Sequence, residues 1–267
     1  RSLRRADRIV TLSRHFAGLL QRLHGARLAP VEVVSGGVDL ARFQPPADRT
    51  AIRRHWGLEP EDFLFLAVRR LDPRMGLDLL VEAFAEVAGR HPRARLWMTG
   101  RGPAEPMLRE RIGRLRLEER VRLLGFLPEP ELPGLLGAAD VTLMPSLDLE
   151  GFGLATAESL ACGTPVLGSR AGATPELLEP LDPGLLFEPR SRSALVRHLE
   201  AVLARPESLP ARDRCAARVD DLAVVVDRGK QEHRDARDRA VLRELDLHAR
   251  VQELRRVRQE ARRDDRR

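Results

Sequence analysis

Short apolar runs alternate with longer segments of helical periodicity along most of this chain. Short, mainly apolar runs predict strands at 9–12, 31–34, 63–68, 95–98, 121–124, 141–144, 165–167 and 184–187. Segments with apolar residues three to four apart predict helices at 13–24, 77–90, 104–116, 131–137, 153–162, 175–178 and 191–204. Apolar strands that alternate with helices form parallel sheets covered on both faces. We therefore predict a doubly wound, Rossmann-like α/β domain with ligands at the carboxyl ends of its strands.

The pattern changes after Pro206, where Arg, Asp and Glu become dense and apolar positions become sparse. Five apolar residues near helical spacing predict one narrow amphipathic helix: Leu242, Leu245, Val251, Leu254 and Val257. Residues 206–267 are either a solvated helical extension or a helix that binds a partner or a membrane surface. Because their apolar positions are few, we predict that the α/β domain folds when the chain ends at Ala204.

The composition supports one large or two modest globular domains. Hydrophobic residues are 43% and charged residues 32% of 267, which excludes a fully disordered or collagen-like chain. The longest apolar run, residues 63–68, is far shorter than the ~20 residues of a membrane-spanning helix. Cys162 and Cys215 are too few for a disulfide framework or a multi-cysteine metal site. These features favour a reducing, cytoplasmic location.

The net charge is +6, but its distribution does not favour nucleic-acid binding. Lys230 is the only lysine, and the arginines alternate with acids instead of forming a stripe. Aromatic residues are 4%, without tyrosine, so platforms for stacking bases are scarce. We expect no nucleic-acid partner. An anionic lipid surface or a phosphorylated substrate suits the basic balance better.

A first candidate anion site is the turn Gly100-Arg-Gly-Pro103, which follows a predicted strand and precedes a predicted helix. A dinucleotide fingerprint needs a third glycine, which is absent, and no acid closes the next strand. A simple tight turn explains these residues equally well, and the failed fingerprint disfavours a dehydrogenase.

The strongest candidate site is the segment 145–166, where a strand, a glycine-containing loop and a helix of small residues follow one another. Free amides at the start of that helix, together with its dipole, would seat a diphosphate. Glu150 and Glu158 flank this position, so their carboxylates could accept hydrogen bonds from sugar and ribose hydroxyls. The residues alone leave a second interpretation open, in which Glu158 complements the helix dipole and Glu150 is solvated.

The E-x7-E pair lies in the string E-G-F-G-L-x3-E-S-L-A-C-G-T-P-V, which resembles the donor-site signature of family 4 glycosyltransferases of the GT-B fold. Further segments resemble that family in the same order: 6–13, 37–43, 70–71, 77–84, 100–103, 121–125 and 172–176. The resemblance covers about residues 6–204 and does not extend into the charged C-terminal segment.

The resemblance implies retaining transfer of a hexosyl group from a nucleotide-sugar donor to a glycan or lipid-linked acceptor. It implies no metal or other cofactor, and the chain has no Asp-x-Asp motif. Arg70 would clamp the diphosphate and Glu150 would hold sugar hydroxyls, as the two catalytic residues. The other donor-binding residues would be Gly100, Gly125, Phe126, Gly151, Phe152, Gly153, Leu154, Ala155 and Glu158.

Their implied roles divide among the parts of the donor. Amides of Gly153, Leu154 and Ala155 would share the diphosphate with Arg70. The backbone of Gly151 and Phe152 would meet the sugar. The chain after Gly125 would meet the nucleobase, and Glu158 would accept hydrogen bonds from the ribose.

The chain departs from the family pattern at three positions. Arg69 stands where the family has glycine, Met75 where it has lysine, and Gly36 where it has asparagine. One of the cationic side chains that bind phosphate in the family is therefore replaced by a neutral one, unless Arg74 takes over that role.

The resemblance also predicts the domain division. Residues 1–29 would be the end of an acceptor domain and a linker, 30–205 the donor-binding domain, and 206–267 the extension. The rest of the acceptor site would then belong to a separate domain or subunit. The alternative is a non-catalytic nucleotide-binding or interaction module. A lipid-linked acceptor would place the protein peripherally at the inner membrane face.

Overall fold

The computed structural model describes residues 6–25 and 28–220, which fall into two compact units. The described part of the first unit comprises residues 6–12, 16–25 and 28–34. It contains a two-stranded parallel sheet of β1 (Ile9–Thr11) and β2 (Val31–Val33), with Ile9 opposite Val31. Between these strands the chain forms helix α1 (Arg14–His24).

The second unit contains a six-stranded parallel sheet in the order β5-β4-β3-β6-β7-β8. Its strands are β3 (Phe63–Val68), β4 (Ala94–Thr99), β5 (Val121–Gly125), β6 (Val141–Met144), β7 (Val166–Ser169) and β8 (Leu186–Phe187). Its helices are α2 (Arg49–His55), α3 (Leu77–Ala88), α4 (Glu105–Arg114), α5 (Leu132–Ala138), α6 (Leu154–Ala161), α7 (Thr174–Leu178), α8 (Arg192–Ala204) and α9 (Arg212–Asp220). The doubly wound α/β fold predicted from the apolar pattern is confirmed.

The strand order reverses between β3 and β6. From β3 the chain builds outward through β4 to β5, and from β6 it builds in the opposite direction to β8. The chain therefore continues from these two central strands toward opposite edges of the sheet, which defines a crevice at the carboxyl end of the sheet. Open α/β sheets bind their ligands at such a reversal. The core beneath it is closely filled, since Phe65, Leu66 and Leu143 have no exposed surface.

Helix α2 was not predicted because it lacks an apolar stripe. Its sequence is Arg-Thr-Ala-Ile-Arg-Arg-His, with the Asp48 carboxylate accepting a hydrogen bond from Ala51 N at 2.8 Å. Arg53 on this helix is buried and donates to Asp140 Oδ2 at 3.0 Å. The helix is thus held by a cap and by arginine contacts, which leave no periodic apolar signal.

Helix α9 lies beyond Ala204 and packs on α6. Its Cys215 and Val219 are buried, and its Arg212 donates to the carbonyl oxygens of Gly137 at 2.8 Å and Cys162 at 3.2 Å. The premise that the chain after Pro206 has too few apolar contacts with the domain is therefore wrong for this helix, while folding of a chain that ends at Ala204 stays a prediction. Arg212, Arg214 and Arg218 of α9 all donate to backbone carbonyl oxygens of the domain, and sparse apolar spacing does not reveal such contacts.

The amphipathic helix predicted around 242–257 lies outside the described residues. Within the described ranges, none of the helices has the length and apolar character needed to cross a membrane.

Candidate functional site

The crevice at the strand reversal is bounded by the loop after β3, residues 69–76, and the loop after β6, residues 145–153. The two loops are joined through their backbones, since Leu147 N donates to Arg74 O at 2.9 Å. The loop after β3 is also joined to its other neighbour, because Leu71 N donates to Arg101 O at 3.0 Å. Side chains from three different strand ends are therefore held at one edge of the sheet.

A buried ion pair lies across the crevice between Arg69 and Glu150. One guanidinium nitrogen of Arg69 lies 2.5 Å from Glu150 Oε2, and another lies 2.7 Å from Ser146 Oγ. Ser146 Oγ in turn donates to Glu150 Oε2 at 2.8 Å. The side chains of Arg69 and Glu150 are only 5% and 14% exposed. The predicted sugar-binding carboxylate is therefore anchored inside the fold, and the interpretation of Glu150 as a solvated side chain is wrong.

Burial alone would raise the pKa of the Glu150 carboxyl, but its surroundings reverse that effect. The charge of Arg69, hydrogen bonds from Arg69 and Ser146, and the charge of Arg74 together hold the pKa below its ordinary value. Glu150 is therefore a carboxylate, and an acceptor of hydrogen bonds, throughout the neutral range.

The backbone of Glu150 is fixed from the loop before α7. Ala173 N donates to Glu150 O at 2.8 Å. The preceding Gly172 has a φ of +59°, and a Cβ placed there would lie 2.2 Å from the same carbonyl oxygen. A side chain at position 172 would therefore displace the glutamate. The segment 172–176 thus has a specific structural function, which is to hold the loop after β6.

The start of helix α6 lies at the end of the loop after β6, and its positive dipole end has no side-chain cap. Gly153 precedes the helix with a φ of +90°, and no side chain caps this end. Its first turn contains no acidic residue. Leu154 is exposed while Ala155 and Glu158 are half-buried, whereas the intervening residues of the first two turns are buried. These three residues therefore form the open face of α6, as a diphosphate and ribose site would require.

Three residues near the end of β3, two arginines and a methionine, have different surroundings. Arg70 is exposed, and its side chain has no hydrogen bond or ion pair within the described part of the chain. Arg74 is half-buried, with Nη1 at 3.5 Å from Leu149 O. Met75 is buried at 6% exposure, so this position presents no polar group to the crevice. Arg70 is the guanidinium free to bind a ligand, and Arg74 is the cation nearest to the position that carries lysine in the resembled family.

The loop after β5 forms the other end of the site. Gly125 O accepts hydrogen bonds from Gly100 N at 2.7 Å and from Thr99 Oγ1 at 2.9 Å. The next residue, Phe126, is 65% exposed. The Arg101 guanidinium lies 5.8 Å from the centre of its ring. The expected nucleobase position is therefore bordered by an exposed aromatic ring and a cation.

Phe152 is buried beside Gly36. The whole residue is 8% exposed, and a Cβ added to Gly36 would lie 2.6 Å from its ring. The departure from asparagine to glycine at position 36 therefore makes room for this ring.

Sequence reasoning missed several residues that shape the site. Ser146 had no sequence signal. In the sequence, Arg69 is only a departure from the family pattern, and Gly172 is only part of a matching segment. Across residues 6–25 and 28–220, no group of three or more His, Cys, Asp or Glu side chains is placed to hold a metal ion.

Solved structures resemble this chain over most of its length. Sucrose-phosphate synthase from Thermosynechococcus elongatus matches with a TM-score of 0.73 and 28% identity, over 82% of this chain and 55% of that one. The Anabaena protein HepE, in complex with UDP and glucose, matches with a TM-score of 0.74 and 25% identity, over 84% of this chain and 61% of that one. The described α/β domain has the fold of the GT-B glycosyltransferases.

The sequence comparison identifies the family within that class. Residues 48–219 match the family model described as glycosyl transferases group 1, and the chain belongs to this family. The D-inositol 3-phosphate glycosyltransferase of Segniliparus rotundus is 32% identical over 78% of this chain and 47% of its own length. A GDP-mannose-dependent phosphatidylinositol monomannoside mannosyltransferase of Mycolicibacterium smegmatis is 32% identical over 77% of this chain and 55% of its own. The chain thus spans about half the length of the curated relatives it matches.

Proposed function

We propose that this chain is the donor-binding half of a retaining, metal-independent family 4 glycosyltransferase. In this proposal a hexosyl group passes from a nucleotide sugar to a glycan or lipid-linked acceptor. The observation that carries the proposal is the convergence, at the strand reversal, of an uncapped helix start, an unpaired arginine and an ionised carboxylate.

The diphosphate would lie between the start of α6 and Arg70. The exposed guanidinium supplies two parallel donors to phosphate oxygens, and the amides of Leu154 and Ala155 supply further donors. In glycosyl transfer the sugar becomes oxocarbenium-like as the nucleoside diphosphate leaves. Stabilisation of the leaving charge is therefore the main contribution that these residues would make.

The sugar and the nucleoside would lie on either side of the diphosphate. Glu150, with the backbone of Gly151 and Phe152, would accept or donate to the sugar hydroxyls. Glu158, on the open face of α6, would accept hydrogen bonds from the ribose. The nucleobase would lie beside Gly125 and Phe126. The relation to HepE, which was solved with UDP and glucose, supports a nucleotide sugar as the class of ligand.

The acceptor and the location are inferred from the relatives. Their names specify inositol 3-phosphate and phosphatidylinositol mannoside substrates, so a phosphorylated or lipid-linked acceptor is the proposed class. The net charge of +6 agrees with peripheral association at the inner, cytoplasmic membrane face. The acceptor site would lie largely in a separate domain or subunit, because the relatives are about twice as long as the matched region.

A second candidate is a module that binds nucleotide without transferring sugar. The replacement of the family's lysine by the buried Met75 favours this second candidate, since position 75 then has no cation to bind phosphate.

Isothermal titration of the full chain against UDP, GDP and ADP tests the proposal. We expect one nucleotide to bind, and its diphosphate to bind more tightly than its monophosphate because the helix start and Arg70 contact the terminal phosphate. The corresponding nucleoside is the control. Absence of binding to all three diphosphates by the folded chain would contradict both candidate functions.

A further inference from the structure

The Arg69 guanidinium occupies a position that the proposed donor site does not use. It reaches from the end of β3 to the loop after β6 and contacts Glu150, Ser146 and, at 3.7 Å, the sulfur of Met144. It is one of the few buried arginines in the described residues, and its partner is the carboxylate assigned to the sugar.

The two oxygens of Glu150 are not equivalent. Oε2 accepts hydrogen bonds from both Arg69 and Ser146, which uses the two lone-pair directions of that oxygen. Oε1 has no hydrogen bond among the described residues and is not one of their buried unpartnered atoms. Oε1 is therefore the oxygen that remains available.

A sugar hydroxyl would not displace Arg69 from Oε2. Breaking a buried ion pair leaves a guanidinium without its countercharge, and this costs more than one hydroxyl–carboxylate hydrogen bond returns. A carboxylate held in this way cannot accept hydrogen bonds from two neighbouring sugar hydroxyls, one at each of its oxygens.

We propose that Arg69 is a positioning residue for Glu150, fixing Oε2 inside the fold and leaving Oε1 as the oxygen that meets the donor sugar. This inference rests on the proposed function, because it requires a nucleotide sugar in the crevice. It adds that the arginine at the family's glycine position determines how the sugar is held.

The same contact keeps the sugar-binding oxygen charged. The charged groups that face Glu150 are Arg69 and Arg74, both from the loop after β3, while the loop before α7 contributes the backbone of Gly172 and Ala173. A carboxyl whose pKa is lowered in the folded state stays ionised as the pH falls toward that pKa. Without the Arg69 charge, burial raises the pKa, and the carboxylate is lost at a higher pH.

The measured quantity is the ratio of the dissociation constant of a nucleoside diphosphate to that of its glucose ester. UDP with UDP-glucose, and GDP with GDP-glucose, are titrated into the full chain between pH 8 and pH 5.5. For the parent chain we expect a ratio independent of pH. For Arg69→Gln we expect the ratio to fall by about tenfold as the pH is lowered, since one charge-assisted contact is lost.

Two further variants separate positioning from general stability. Arg69→Lys keeps the charge and should restore a flat profile. Arg53→Met, the matched control, removes another buried arginine, which pairs with Asp140 away from the crevice, and should lower stability while leaving the profile flat.

The outcomes are distinguishable. If the parent chain binds no nucleotide, the proposed function fails and this inference fails with it. If the parent binds and Arg69→Gln has the same flat ratio, the inference alone is overturned. Should Arg69→Gln not fold, Glu150→Asp replaces it, because a shorter side chain cannot both contact Arg69 and present its other oxygen. A ratio unchanged in Glu150→Asp would equally overturn the inference.

Discussion

The substitution Arg70→Met separates ligand binding from stability more cleanly than any other change at the crevice. Arg70 is exposed, and its side chain has no polar partner in the part of the chain that the structure describes. Replacing it should therefore change the free energy of unfolding by less than about 0.5 kcal/mol. Any change in nucleotide affinity then originates in the complex.

The expected loss of affinity follows from the exposure of the arginine. A charge-assisted hydrogen bond contributes about 1.5–3 kcal/mol when desolvated, whereas an exposed ion pair contributes about 0.2–1 kcal/mol. Bound phosphate would partly desolvate Arg70, so we expect a loss near 1.4 kcal/mol, which is about tenfold in the dissociation constant.

Isothermal titration with the best-binding nucleoside diphosphate measures this loss. Between about 50 and 500 mM salt, the affinity of the parent chain should fall more steeply than that of Arg70→Met, because salt screens an exposed charge. Arg197→Met is the matched control, since Arg197 is also exposed but lies on α8. Equal affinity of the two variants at low salt would refute the assignment of Arg70 to the diphosphate.

Three further predictions concern the rest of the domain. Glu158→Ala should weaken nucleoside diphosphate binding by about 1–3 kcal/mol in a folded protein, and unchanged titrations would contradict the ribose assignment. Ending the chain at Ala204 removes α9 with its two buried side chains, and should lower the free energy of unfolding in urea by about 3 kcal/mol or more. An unaltered midpoint of urea unfolding would show that α9 contributes nothing to stability. Gly172→Ala should lower the free energy of unfolding by about 1–3 kcal/mol, because the φ at position 172 is +59° and a Cβ there would meet the Glu150 carbonyl. The control Gly89→Ala has open space for its Cβ and should leave the free energy of unfolding unchanged.

The sequence by itself determined the elements whose stabilisation is local and apolar. Strands β3 and β6 have the predicted bounds, and the apolar runs correctly indicated a parallel sheet with helices on both faces. The glycine-containing loop before α6 was also visible, because a strand end, a glycine and a helix start are neighbours along the chain. Periodicity reports burial of each segment, and burial on both faces is what a central parallel strand requires.

The tertiary structure alone decided which of these elements meet. Residues 69 and 150 are 81 positions apart, and their ion pair exists because the strand order reverses between β3 and β6. Helices α2 and α9 depend on arginines that donate to distant carbonyl and carboxylate groups, and such contacts leave no period in the sequence. Local patterns encode whether a segment is buried, but the partner of a buried charge is set by strand order and loop contacts between residues far apart in the chain.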